Sequence, residues 1–482
     1  MKPTKTIYLL QIITLLSFLF LQTGFAQEKT SKLDLEKDLT ILKRNLEDIH
    51  GGLYTYSSKQ EIDDWFAKTR LKLKDSMDRF EFYKHIAPLN SIIKNGHTNI
   101  SYPRLGKKFK LLPIQLYKYK DSFYISKSFS VLHKHLEGVQ ILEIDDVAIN
   151  QIFNTLLKTH KRDGNNLTFP SENLSSLFGL DYALIYGSKN DYTLTVIKEN
   201  KTFKITLESS LINDHVRKFY RNSDKLKALN FKINDSIGVL TFPTFSTNEL
   251  KKENYKSLLE DSFQKIKSQN IKHLIIDVRN NGGGDPVPTQ ELISYLIDKE
   301  FVMYKDVYTI TNKIADKKYY EKQGLFWLNM FSWLKVKKVE DNYYRIRNKE
   351  GMDVFSPKEN NFKGKLYILA NGNSFSATGE FTSFIKNNRD VLFIGEEVGG
   401  NAFQNTSGVD YTITLPNSKQ RVKLPLVVWE MNISSGNNSH GIKPDYWIKN
   451  TIEDEMRGND SVLNFTYSLI KKLITNNVSQ KK

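Results

Sequence analysis

The chain has 482 residues, 39% hydrophobic and 12% aromatic, enough for two or three domains with at least one sizeable core, so most of it should fold. There is no cysteine, which excludes disulfides, thiolate metal sites, a lipid-modified cysteine anchor and a cysteine nucleophile. The formal charge is +16, and setting aside two lysines in the first 26 residues leaves +14; the lysines are interleaved with acids along the whole chain, so we read them as a solvated surface with no nucleic-acid partner.

Residues 1–26 read as a secretory signal peptide. Lys2 and Lys5 give a positive start, Ile7 to Leu21 is an apolar run, and Gly24-Phe25-Ala26 supplies a small-residue cleavage site before Gln27. The run is short for a membrane span, and no other stretch is long and apolar enough to be one. The sequence therefore predicts an exported protein, periplasmic or extracellular, with no transmembrane segment after cleavage.

Residues 27–105 read as a helical region. Leu35, Leu39, Leu42, Leu46 and Ile49 mark one helix face, stopped by His50-Gly51-Gly52. Ile62, Trp65, Phe66 and Leu73 suggest a second helix; Phe82, Ile86, Leu89 and Ile93 suggest a third that runs into Asn95-Gly96-His97. Residues 106–210 are richer in short β-type runs. Gly138 to Val147 reads as a strand and a tight acidic turn before a short helix, the pattern of a PDZ-like β-rich domain.

From residue 232 to 450 strands and helices alternate, which implies an α/β core with a mixed, largely parallel sheet and flanking helices. Leu274 to Val278 is a strand of the type buried on both faces. An insertion at 300–362, rich in lysine and aromatics, interrupts this core. Its centre, Leu325 to Leu334, reads as a buried segment or as a lid over a site. Residues 451–482 read as a terminal helix and a frayed tail.

Three separated segments supply the parts of a serine hydrolase: a nucleophile, a proton acceptor and an oxyanion hole. Ser376 follows an apolar strand and an Asn-Gly turn and opens a helix, so its side chain is presented at the carboxyl edge of a sheet. Ser374 in the same turn is its rival, and either serine would also serve as a plain helix cap. His97, on a glycine-containing turn, is the natural proton acceptor near neutral pH. The loop Asn280-Asn281-Gly282-Gly283-Gly284 follows a buried strand and offers free backbone amides. The amides of Gly283 and Ala377 are the candidate oxyanion donors. Asp277 and Arg279 read as structural ties for that loop.

On these motifs the chain resembles the S41 serine peptidases, the C-terminal processing (tail-specific) and tricorn-like proteases. Asp277 to Gly284, Asn373 to Glu380, Gly395 to Gly400, Gly441 to Asp445 and Gly96-His97-Thr98 each match a family segment. The resemblance implies a ClpP/crotonase-like catalytic core, a polypeptide substrate, and no cofactor or metal. In the C-terminal processing branch a lysine follows the Gly-Glu segment; here that position is Asn401. The resemblance therefore points to the tricorn-like arrangement, with His97 as the base for Ser376. Glu430 and Asp445 are candidates to orient His97. A catalytically inactive protein that binds a peptide or lipophile on the same fold is the alternative. The sequence says nothing of oligomeric state.

Overall fold

The computed structural model describes residues 29–212, 228–314, 316–321, 336–347, 351–434 and 439–479. The signal-peptide segment and the apolar centre of the insertion, Leu325 to Leu334, lie outside the described residues. Among the described residues no helix is long and apolar enough to cross a membrane.

The core is a six-stranded sheet in the order Asn230–Asn234, Ile237–Thr241, His273–Asp277, Lys365–Ala370, Val391–Gly395, Tyr446–Trp447. Only the first pair is antiparallel; every other neighbour is parallel. The central strand His273–Asp277 is apolar at successive positions because both of its faces are covered. Leu274 and Ile276 pack into the main core, whereas Ile275 joins Ile237, Tyr367, Leu369 and Ile394 on the other face. That second face is closed by Val462 and Ile470 of the terminal helix Ser461–Ser479. The segment read as a terminal helix and tail is thus largely a cover for the sheet.

The N-terminal region forms four helices. Lys32–Ile49 buries Leu35, Leu39, Leu42 and Leu46 completely, each contributing about 1.5–3 kcal/mol relative to exposure. The third expected helix is split into Arg79–Ile86 and Leu89–Ile93. Pro88 stands at the break, where its missing amide and fixed φ stop one helix and start the next. The helical region docks on the core through its apolar face and through Asp38. The Asp38 carboxylate accepts from the backbone amides of Asn417 (3.1 Å) and Ser418 (2.7 Å). The chain after His97 also joins the body directly: Asn99–Ile100 pairs antiparallel with Arg421–Pro425.

Residues 114–208 form a separate antiparallel sheet with its own core, packed with the helices Ile149–Leu157 and Thr168–Tyr186. The acidic turn after Gln140–Ile144 is present, with Asp145 and Asp146 both at positive φ (50° and 61°).

The insertion does more than interrupt the core. Its strand Tyr304–Thr309 pairs with Val428–Met431, which in turn pairs with Gln404–Thr406. This second sheet places Asn405 and Tyr304 next to the helix Ala377–Asn388.

Candidate active site

The strand Lys365–Ala370 ends at a turn, Asn371 to Phe375, that leads into the helix Ala377–Asn388. The two serines of this turn have different surroundings. Ser374 is fully buried; its hydroxyl donates to the Val278 carbonyl (2.8 Å) and accepts from the Asn371 amide (3.1 Å). It ties the turn to the neighbouring strand and has no access to a substrate. Ser376 is half-buried and makes no capping bond to its own helix. Its backbone sits at φ 58°, ψ −123°, a region that costs a non-glycine residue about 1–3 kcal/mol. Such strain is the mark of a sharp strand-to-helix turn that exposes a side chain.

Ser376 Oγ lies 3.1 Å from His97 Nε2, although the two residues are 279 positions apart. Asn405 Nδ2 donates to the same oxygen at 3.4 Å. With that donor in place, the hydroxyl hydrogen is left free to point at the imidazole. The other hydrogen of the Asn405 amide goes to Glu380 Oε1 (2.7 Å), and Glu380 Oε2 accepts from the Tyr304 hydroxyl (2.6 Å). Burial pushes the Glu380 carboxyl up from its ordinary value, against the pull of these two bonds. No local sequence pattern singles out Asn405, Glu380 or Tyr304. Glu380 was visible within the matched segment Asn373 to Glu380. Asn405 and Tyr304 come together only through the second sheet.

His97 is held by its backbone and by packing. Asn95 Oδ1 accepts from the amides of His97 (3.0 Å) and Thr98 (2.9 Å) and from the Thr98 hydroxyl (3.0 Å). Behind Thr98 stands His50, whose Nε2 lies 2.6 Å from the Thr98 hydroxyl while its Nδ1 accepts from the Gly52 amide. Burial lowers the His50 pKa to about 4, so it is a neutral donor at physiological pH. The His97 ring stacks on Phe375 (4.9 Å between centroids), and Phe375 stacks on Phe169 (4.0 Å). Gly96 allows this stack: a Cβ there would come within 2.5 Å of the Phe375 ring.

Burial lowers the His97 pKa well below its ordinary value, with Lys161 and Lys423 adding to the effect. The ring is therefore neutral at pH 7 and able to accept a proton. Its Nδ1 is buried and has no hydrogen-bond partner among the described residues. Neither candidate orienter reaches it. Glu430 pairs with Lys305 (2.6 Å), because its strand directs it to the side of Tyr304–Thr309. Asp445 accepts from the Phe393 amide (2.8 Å) and pairs with Lys386 (3.4 Å), fixing the chain beside the strand Val391–Gly395.

The glycine loop lies against the nucleophile turn. The Phe375 amide donates to the Asn281 carbonyl (3.0 Å), and the Thr378 hydroxyl does the same (2.8 Å). Gly283 has φ 97°, and a Cβ there would lie 2.8 Å from both Ser376 Cβ and the Ala377 nitrogen. The loop thus abuts Ser376. However, the Gly283 amide is taken: it donates to Asn281 Oδ1 (2.9 Å), an asparagine turn closing on its own backbone. The amide of Ala377, at the first position of its helix, has no intrahelical acceptor. Asp277 and Arg279 do tie the loop down: the guanidinium bridges Asp277 and Asp460 at 2.7 Å each.

The position of the lysine in the C-terminal processing branch, Asn401, is buried, and its side-chain oxygen caps the amides of Phe403 (2.5 Å) and Gln404 (3.0 Å). Asp163 joins this segment to the base, accepting from the amides of Gly96 (2.7 Å) and Asn401 (3.3 Å). Burial raises its pKa to about 6.

A half-buried serine thus stands beside a neutral imidazole at the carboxyl end of the parallel strands. Residues 236–448 match the family model described as Peptidase family S41, so the chain carries an S41 peptidase domain and is a serine-type peptidase acting on polypeptides. No curated protein matches the chain in sequence. Among solved structures, a serine-to-alanine mutant of CPAF is similar at 14% identity and TM-score 0.67, covering 92% of this chain and 98% of that one. Mature CPAF is similar at 15% identity and TM-score 0.62, with 92% and 98% covered. At these identities the likeness is one of fold. The photosystem II D1 C-terminal processing protease also aligns, at 13% identity and TM-score 0.39 over 87% of this chain and 93% of that one.

Proposed function

We propose that this peptidase is an exported endopeptidase in which Ser376 is the nucleophile and His97 its general base. One observation carries the reading: the 3.1 Å contact between His97 Nε2 and the hydroxyl of a serine held at strained φ. Ser376 Oγ attacks the peptide carbonyl carbon and its proton passes to His97 Nε2. The protonated imidazole then gives that proton to the leaving amine nitrogen as the C–N bond breaks. Water, deprotonated by the same imidazole, hydrolyses the acyl-enzyme. Asn405 acts as a positioning residue that turns the serine O–H toward the imidazole. Ala377 supplies one oxyanion amide. The second comes from the glycine loop, through Gly283 once a substrate oxygen replaces Asn281 Oδ1 as its acceptor, or through its neighbours.

Export rests on the signal-like first 26 residues. Residues 106–210 are proposed to be a PDZ-like module, on the strength of the separate core and the strand, acidic turn and helix after Gly138.

The test is covalent labelling. A fluorophosphonate should label the purified protein at Ser376 and leave the Ser376→Ala variant unlabelled. Labelling at Ser374, or no labelling of a protein that still cleaves peptides, would overturn the assignment.

A further inference from the structure

Next to the base lies a cavity of about 170 Å³ that the chemistry above does not use. Its polar lining includes Asn90, Asn99, Tyr102, His160, Lys161 and Asn173. Most of these groups are already satisfied within the protein. Asn90 donates to the Thr159 carbonyl and accepts from the Ile100 amide. Tyr102 and His160 both bond Asp181, and Asn173 donates to the Phe169 carbonyl.

Of the six groups named, two are left over. Neither the Asn99 amide nor the Lys161 ammonium has a hydrogen-bond or ion-pair partner among the described residues. The ammonium stands over the face of Phe169, 5.9 Å from the ring centroid. Two carboxylates act on Lys161 through space without bonding it. Asp163 holds the Gly96 and Asn401 amides, and Asp410 pairs with Lys423 at 2.6 Å.

The cavity is also wired to the reacting groups. Lys161 sits over Phe169, which stacks on Phe375, which stacks on His97. Asn99 is two residues beyond His97 and lies opposite Lys423 in the strand pairing. A half-buried ammonium with no carboxylate in contact is better compensated when an anion visits it. An ammonium with an adjacent amide donor forms a fitting cradle for a carboxylate. The volume suits a carboxyl-bearing side chain or a chain terminus, and little more.

We propose that the Lys161–Asn99 cavity is a specificity subsite that receives a carboxylate of the polypeptide substrate, from an acidic side chain or from the terminal carboxyl group. The proposal rests on the assignment of Ser376 and His97 as the reacting pair. Burial and then Lys423 lower the Lys161 pKa to about 8 against the pull of Asp163 and Asp410, so the ammonium is still charged at neutral pH and open to an anion in contact with it.

The test separates binding from cleavage. The Ser376→Ala protein is immobilised and offered two randomised peptide libraries, one with free and one with amidated carboxyl termini. Aspartate or glutamate enriched about fivefold or more at one position of the amidated library assigns the subsite to a side chain. Selective retention of the free-acid library assigns it to the terminus. Lys161→Met in the same background should abolish that preference, and Asn99→Asp should weaken it. Lys161→Glu should turn it toward lysine and arginine, which guards against a simple loss of folding. Equal capture of acidic and neutral peptides, or an acid preference that survives Lys161→Met, overturns the proposal. Captured peptides are then offered to the wild-type protein. Capture with charge preference but no cleavage would sink the assignment of Ser376 and His97 and leave the subsite standing. Cleavage without charge preference would do the reverse.

Discussion

The two halves of the proposed reacting pair are held in opposite ways. Ser376 is held by chemistry: a strained backbone, a hydrogen bond from Asn405, and a buried carboxyl and phenol behind that amide. His97 is held by shape: a stack on Phe375, a glycine that makes room for it, and an asparagine turn that fixes its backbone. Among the described residues no side chain bonds its Nδ1. In the familiar serine triad the polar support sits behind the histidine; here it sits behind the serine. A base without a carboxylate partner gains nothing when it becomes positive. It therefore stays neutral to lower pH and depends on neighbouring rings for its orientation.

The largest test of this contrast is to remove each half. Ser376→Ala should lower kcat by several orders of magnitude with the fold intact, and His97→Ala should come close to it, because the two act as a unit. A His97→Ala enzyme within tenfold of wild type would show that another group takes the proton. Next comes the support on each side. Phe375→Leu loosens the stack under the imidazole and should reduce kcat by about ten- to a hundredfold. Asn405→Leu removes the donor that aims the serine hydroxyl and should reduce kcat by about tenfold with KM little changed. A larger effect from Asn405 than from Phe375 would reverse the ranking of shape and chemistry at the base.

The pH profile sharpens the comparison further. Activity should fall as pH drops through the His97 pKa, and that limb should lie below the ordinary histidine value, because burial and the two lysines disfavour the imidazolium. Removing one of those charges with Lys161→Met should move the limb upward. Asp163, with its pKa raised to about 6, is the other group that titrates nearby. A limb that persists in Asp163→Asn belongs to His97; one that disappears belongs to Asp163. The smallest effect on rate is expected from Ser374→Ala. It should leave kcat within about threefold while costing about 1–3 kcal/mol of stability, since it strips a buried acceptor and donor from the turn. Kinetics and a denaturant melt of the same sample check both halves of that statement.

The sequence carried the local parts of the site well. The apolar strand before Asn280, the three glycines, the turn that bears Ser376 and the turn that bears His97 each announce themselves within a dozen residues, because strand burial, tight turns and helix starts are local properties. Ser374 and Ser376 could not be told apart that way. Both follow the same strand, and what separates them is a hydrogen bond to Val278 in the next strand and a backbone angle.

The sequence by itself determined the elements, the likeness to S41 peptidases and the three segments that supply a serine, a histidine and a glycine loop. The tertiary structure alone decided the partners. Glu430 and Asp445 had the right chemistry to orient His97, but strand pairing turned one toward Lys305 and the other toward Lys386. Asn405 and Tyr304 reach Ser376 and Glu380 because an insertion strand pairs with Val428–Met431, a long-range pairing that no local pattern encodes. The docking of the N-terminal helices, which brings His97 to 3.1 Å from Ser376, rests on their buried apolar face and on Asp38 meeting a loop nearly four hundred residues away. Side-chain partnership is a property of distance in space, and a sequence records only distance along the chain.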